Sequence, residues 1–138
     1  MKWKKYDYTA QWGPGNTIVH RPLIEVRISS ATNSKGIPIL AMIDSGTDGT
    51  VFNADIARAL RIDPNRHRKV RIGGIGEQEG FTCAIRLTVP DFKLYMDIPV
   101  VFLENPPFDG LLGQRHFFEK FQIKFDKAKK IFHIAANR

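Results

Sequence analysis

Met42-Ile43-Asp44-Ser45-Gly46-Thr47-Asp48-Gly49-Thr50 is the stretch that decides how this chain is read. The apolar run from Ile37 to Ile43 leads into it as a buried strand does, and delivers a carboxylate at the strand's end. A hydroxyl and a glycine follow at once. Asp44 therefore stands on a tight turn where backbone N–H groups can hold it, and Gly46 lets another segment come close. Such a turn is a seat for a catalytic carboxylate. Asp-Ser-Gly is also ordinary turn chemistry, so its setting has to decide between the two.

The setting is supplied further along by Phe108-Asp109-Gly110-Leu111-Leu112-Gly113-Gln114-Arg115-His116-Phe117-Phe118, a short apolar strand followed by a helix start. Between the two stretches lies Ile72-Gly73-Gly74-Ile75-Gly76. Asp-Ser-Gly-Thr after an apolar strand, then a glycine-rich hairpin tip, then Leu-Leu-Gly resembles the retropepsin-type aspartic proteases, the single-domain relatives of pepsin found in retroviruses and bacteria. The resemblance covers residues 23 to 134 and implies a mostly β fold: a closed or partly open barrel with a flap hairpin and one or two short helices. Residues 1 to 22 are expected to form an irregular N-terminal arm, unlike the compact viral enzymes and nearer to bacterial members, and residues 23 to 138 a single domain.

What the resemblance implies about the site follows residue by residue. Asp44 would be the catalytic acid, Ser45 would bridge to a second subunit through its hydroxyl, and Gly46 would leave room and N–H groups for the carboxylates. Thr47 and Asp48 would contact substrate backbone. Gly74, Ile75 and Gly76 would close as a flap over an extended peptide, pairing with it as an added strand does, and Leu111 and Leu112 would form an apolar bed under the turn. Where the retroviral enzymes carry Gly-Arg after the paired aliphatics, with the Arg tied to the acidic turn, this chain has Gly113-Gln114-Arg115. Either Arg115 takes over that link or the link is absent.

Length sets the stoichiometry. With 138 residues and 43% apolar composition, the chain is large enough for one core and too short for two. It holds one copy of the acidic motif, because Asp109-Gly110 lacks the preceding strand and the hydroxyl. A second acid must come from another molecule, and a two-fold axis brings Asp44 to its own twin. Two like charges at hydrogen-bond distance cannot both ionise cheaply, so such a pair shares one proton and can activate water for peptide-bond hydrolysis. The expected activity is therefore that of a homodimeric aspartic endopeptidase acting on peptide or protein substrates. The alternative is a catalytically silent relative that uses the same cleft as a peptide-binding or dimerisation module.

Composition tests other classes. The net charge of +7 invites a nucleic-acid reading, but the charge is concentrated in Arg58, Arg61, Arg66, Arg68, Lys69 and Arg71 and in Lys120 to Lys130. Residues 72 to 113 carry Arg86 and Lys93 against Glu77, Glu79, Asp91, Asp97, Glu104 and Asp109. The flap and cleft segments are acidic, the basic clusters read as solvated faces, and nucleic acid is not the expected partner. A phosphate-cradling role for the glycine-rich tip fails on glycine spacing and on Glu77 and Glu79. His20, His67, His116 and His133 show no ligand spacing, so neither a metal nor a cofactor is expected. No early segment reads as a leader and no run is long enough to span a bilayer. With Cys83 the only cysteine, a reducing cytoplasm is the expected location.

The remaining periodicity places the elements. Leu23 to Ile28 alternates, with Ile24, Val26 and Ile28 on one face, and Ser29 to Gly36 reads as the hairpin connection. Asn53 caps a short helix through Leu60. Phe81, Cys83, Ile85, Leu87 and Val89 alternate strictly, as do Phe92, Leu94, Met96, Ile98, Val100 and Phe102. Gly113 is expected to start a helix burying Phe117, Phe118 and Phe121, before the period shifts to two at Phe121-Gln122-Ile123-Lys124-Phe125.

Overall fold

The computed structural model describes residues 1–72 and 77–137. Among these residues the chain forms twelve strands and two short α-helices: β1 (Lys4–Asp7), β2 (Thr9–Trp12), β3 (Ile18–Arg21), β4 (Leu23–Ser30), β5 (Asn33–Ile43), β6 (Val51–Asn53), α1 (Ala54–Ala59), β7 (Lys69–Ile72), β8 (Gln78–Val89), β9 (Leu94–Leu103), β10 (Gly110–Leu112), α2 (Phe117–Lys120), β11 (Phe121–Asp126) and β12 (Ile131–Ala136). The fold is mostly β, as expected.

Strands β4, β5, β10, β6, β9 and β8 follow one another in a sheet, and a further β4–β8 pairing closes it into a six-stranded barrel with β7 added outside β8. Closure removes the free edges that an open sheet would expose. The alternation predicted for β8 and β9 is the barrel's inner face where it holds: Phe81, Cys83, Ile85, Leu87 and Val89 are buried, and so are Met96, Ile98, Val100 and Phe102, whereas Phe92 falls in a 3-10 turn ahead of β9 and Leu94 at the strand's start is exposed. The two strands run antiparallel in unbroken register from Gly80↔Leu103 to Val89↔Leu94. Phe52, Phe102, Phe117, Phe121 and Phe132 are fully buried. Each such side chain contributes about 1.5–3 kcal/mol of burial free energy, so these aromatic anchors dominate the packing.

β10 is only three residues long, yet it threads the centre. It pairs parallel with β5 (Leu111↔Met42, Leu112↔Ile43) and antiparallel with β6 (Gly110↔Phe52, Leu111↔Val51). That places the Leu-Leu pair beside the end of the strand that delivers Asp44. α1 begins where expected, with the Asn53 side chain accepting from Asp55 N at 3.0 Å as its N-cap.

Three further expectations are corrected. The arm of residues 1 to 22 is not irregular: β1 pairs antiparallel with β12 in a sheet completed by β11, and β2 and β3 form a hairpin of their own. Its aromatic residues explain the order. Tyr6 stacks on the buried Phe132 ring at 5.2 Å and Tyr8 meets the same ring edge-on at 5.8 Å. The connection after β4 is shorter than Ser29 to Gly36, because the β4–β5 ladder continues to Ser30↔Asn33 and Asn33 Oδ1 accepts from Gly36 N. The last helix starts at Phe117 rather than Gly113 and ends before Phe121, which already belongs to β11. His116 sits at φ 69° ahead of it, a break that no continuous helix from Gly113 could contain. Of its three Phe residues, Phe117 and Phe121 are buried and Phe118 is half-buried.

Candidate active site

The acidic turn is built from the backbone outward. Asp44 N–H donates to Leu112 O at 2.9 Å, one residue beyond the β5–β10 ladder, so the Leu-Leu strand fixes where the aspartate leaves the sheet. Ile43 N–H is held by Pro22 O at 3.0 Å on the other side. The chain then turns, with Thr47 N–H donating to Asp44 O at 3.3 Å. Both carboxylate oxygens are satisfied from within this turn: Gly46 N–H donates to Asp44 Oδ1 at 2.9 Å, and Thr47 Oγ1 donates to Asp44 Oδ2 at 2.9 Å. The carboxylate is half-buried, oriented by two donors and still open to solvent. That combination holds an acid in one rotamer while leaving lone pairs for a water and a second acid.

The second layer comes from the residues after β10. Gln114 N–H donates to Thr47 O at 2.8 Å, Arg115 N–H to Asp48 O at 2.7 Å, and Gln114 Nε2 to Ser45 O at 2.7 Å. Gly113 is needed here for space: a Cβ would lie 2.3 Å from both Thr47 O and Gly49 O. Two backbones therefore touch at Gly113, and the acidic turn is clamped between Leu112 and Gln114. The open question about the Gly-Gln-Arg departure is answered by Gln114, whose side chain makes the link to the turn. Arg115 is exposed and contributes its backbone N–H.

The structure gathers most of the residues singled out in the sequence. Asp44, Ser45, Gly46, Thr47, Asp48, Leu111 and Leu112 come together in one cluster. Ser45, Gly46 and Asp48 are exposed, Leu111 is half-buried and Leu112 is fully buried under the turn. Thr47, read as a substrate contact, has its hydroxyl on Asp44. Gly74, Ile75 and Gly76 lie outside the described residues; the strands that lead to them, β7 and β8, pair up to Ile72↔Gln78. The residue that sequence reasoning missed is Gln114. Its glycine-flanked position after Leu-Leu was the signal, but the residue type gave no sign that a neutral amide could replace a guanidinium.

Half of the first basic cluster is paired. Arg58 bonds Asp55 and Glu104, Arg66 lies 3.7 Å from Asp63, and Arg71 reaches Glu77 at 3.4 Å and Glu79 at 3.2 Å. These pairs are solvent-exposed, worth about 0–1 kcal/mol each. The Arg71 pairs neutralise Glu77 and Glu79 beside the hairpin rather than hold the fold. Cys83 is buried, and burial pushes its thiol above its ordinary value.

Comparison with known proteins agrees with this geometry. A family model described as aspartyl protease matches residues 25–115. Among solved structures, a retropepsin-like aspartic protease from Rickettsia conorii superposes with a TM-score of 0.64 at 14% identity, covering 96% of this chain and 91% of that one. The retroviral protease-like domain of Ddi1 from Leishmania major gives a TM-score of 0.54 at 17% identity, covering 77% and 81%. EIAV protease complexed with the inhibitor HBY-793 gives 0.50 at 22% identity, covering 67% and 81%. No curated protein matches the chain in sequence. At such identities the solved structures speak for the fold, while the family model spans the acidic turn, the hairpin and the Leu-Leu-Gly strand together. This chain belongs to the aspartyl protease family, and its fold is retropepsin-like.

Proposed function

We propose that the chain is an aspartic endopeptidase that works as a homodimer, each subunit giving one Asp44. The observation that carries this reading is the state of the Asp44 carboxylate: fixed by Gly46 N–H and Thr47 Oγ1, backed by a dry Leu112, and exposed on its remaining face. Such an acid is oriented but incomplete. One carboxylate alone cannot both accept a proton from water and donate one to the carbonyl oxygen, and a symmetry-related copy supplies the missing partner.

In the dimer the two carboxyls hold one proton between them. The ionised one takes a proton from the attacking water as the new C–O bond forms. The protonated one hydrogen-bonds the carbonyl oxygen, and collapse of the tetrahedral intermediate sends a proton to the leaving amine. Ser45 bridges across the axis. Asp48 contacts substrate backbone, and the hairpin ending in Gly74, Ile75 and Gly76 closes over the peptide. Leu111 and Leu112 keep water from beneath the turn, which strengthens the electrostatics above it. A reducing cytoplasm suits the single buried Cys83.

The test is cleavage of a mixed peptide library by the wild-type chain and by Asp44→Asn, from mildly acidic to neutral pH, with sedimentation to follow assembly. Cleavage abolished by the substitution in a protein that still forms dimers is the expected result. Equal cleavage by both proteins removes the enzyme assignment from this site, and peptide binding without cleavage identifies a silent module.

A further inference from the structure

The β2–β3 hairpin is an element without a packing reason. It pairs from Thr9↔Arg21 to Trp12↔Ile18, and none of its residues is buried. It is nonetheless tied down. Gly13 N–H donates to Thr17 O at 2.7 Å and Thr17 Oγ1 to Pro14 O at 2.8 Å, closing the tip. Arg21 Nη1 donates to Gln11 Oε1 at 3.0 Å across its base, and Lys127 Nζ to His20 O at 3.0 Å anchors it to the turn after β11. Fixing the backbone of a segment costs about 1–2 kcal/mol per residue, and burial recovers little of that cost here, since Thr9, Val19, His20 and Arg21 are only half-buried and the remaining side chains of the two strands are exposed. The hairpin also leaves Trp12 73% exposed, an unusual state for so large an apolar ring.

What Trp12 faces is a groove of about 550 Å³. Its other apolar walls are Leu23, Leu40, Met42, Pro107 and Phe108. Leu40 is itself 50% exposed, and Met42 is paired with Leu111 and stands two residues before Asp44 on the same strand. The groove therefore runs along the strand that delivers the acid, and its wall residues Met42 and Gly110 adjoin the site, the first pairing with Leu111 and the second preceding it in β10. Its volume falls within the roughly 300–1,000 Å³ of small-molecule sites. Its polar rim is balanced, with Arg21 bonded to neutral Gln11 and Asp109 opposite, so it has no net charge with which to select an ionic side chain.

We propose that the β2–β3 hairpin is a specificity element of the protease, and that Trp12, with Leu40, Met42 and Phe108, forms a subsite for one large apolar side chain of the bound peptide. An indole face beside a methionine suits an aromatic or bulky aliphatic group, since the ring offers broad contact and the thioether adapts to shape. The hairpin lies before the residues that the family model matches, so the model does not include this wall. The inference rests on reading the cleft as a peptide site, and commits to a substrate side chain rather than a second copy of the chain as the occupant.

The experiment has two arms that separate this inference from the catalytic reading. In the first, wild type, Trp12→Ala and Ile18→Ala cleave a peptide library randomised one position at a time. Ile18 is on the same hairpin and 60% exposed but does not line the groove, so its variant reports any general disturbance. In the second, the same two substitutions are made in the Asp44→Asn protein, and binding of the library is measured without cleavage. Trp12→Ala is expected to lower preference for aromatic and large aliphatic residues over alanine by roughly tenfold at one position only, with Ile18→Ala unchanged. Loss of selectivity in the binding arm alone supports the subsite even if the chain cleaves nothing. An unchanged profile in Trp12→Ala overturns the inference while leaving the protease reading intact. Neither binding nor cleavage by any form overturns it, and weakened dimers with unaltered selectivity give the groove to a second copy instead.

Discussion

Gln114 reaches back from the end of β10 and donates a 2.7 Å hydrogen bond from Nε2 to the carbonyl oxygen of Ser45. The two residues lie on opposite sides of the Asp44 turn, so this bond fixes the turn's outer corner while Leu112 O fixes its inner one. The bond is solvent-exposed, and its contribution to global stability is about 0.5–1.5 kcal/mol. Its effect on alignment is larger than its effect on folding, because Ser45 follows Asp44 directly, the acid of the proposed protease. Gln114→Ala should shift the urea midpoint slightly and lower kcat/KM by about tenfold or more. A stability loss with unchanged kinetics would show that the corner is held by the backbone bonds alone.

Gly113 and Gly49 make an internal comparison. A Cβ at Gly113 would meet Thr47 O and Gly49 O at 2.3 Å, both backbone atoms that cannot swing aside, whereas at Gly49 nothing lies within 4 Å. Gly113→Ala is therefore expected to destabilise by about 2–3 kcal/mol or more by forcing the acidic turn away from β10. Gly49→Ala should stay within about 0.5 kcal/mol of wild type. Chemical denaturation of the two variants checks this, and equal midpoints would mean that the two backbones are not in contact.

The difference between these two glycines marks how far sequence can be read. The Asp44 turn was legible because its signals are local: an apolar run, a carboxylate, a hydroxyl and a glycine in consecutive positions. Leu111-Leu112 was legible as a threading strand because an apolar pair between glycines has few other uses. Gln114 was not, since its contact with Ser45 spans 69 residues and joins a side chain to a backbone carbonyl, which no residue type advertises. β1 escaped for a related reason. Four residues carry too little periodicity to read, and its partner β12 lies at the other end of the chain. The extent of α2 was overstated because Gly113 to His116 is apolar-flanked and turn-like at once, and only the positive φ at His116 separates it from the helix.

Tyr6 should make stability depend on alkaline pH. Burial first, and then the Asp91 carboxylate that accepts its hydroxyl at 2.9 Å, hold the phenol well above its ordinary value. The folded state thus binds this proton more tightly than the unfolded chain does. Its contribution is fully present below about pH 10, the unfolded value, and is lost as pH rises from there toward the folded one. Tyr6→Phe should be less stable than wild type near about pH 8, and that gap should shrink above about pH 10. Urea denaturation of both proteins at the two pH values measures it; a constant gap would detach Tyr6 from the effect. Because Tyr6 stacks on Phe132, the aromatic contact survives the substitution and isolates the hydroxyl.

Thr47 carries the most direct consequence for catalysis. Its hydroxyl donates to Asp44 Oδ2 while Gly46 N–H takes Oδ1, so the orientation of the acid depends on one side chain and one backbone group. Thr47→Val keeps the shape and removes the donor; Thr47→Ser keeps the donor and removes a methyl. If orientation is what Thr47 supplies, Thr47→Val should lower kcat by about ten- to hundredfold with KM nearly unchanged, because the loss falls on the geometry reached in the transition state. Thr47→Ser should stay within about threefold of wild type on the same reasoning. The lost bond to a charged acceptor costs about 1–2 kcal/mol of stability, so both variants must be assayed where they remain folded and dimeric. A fully active Thr47→Val would leave the orientation of Asp44 to the Gly46 N–H alone.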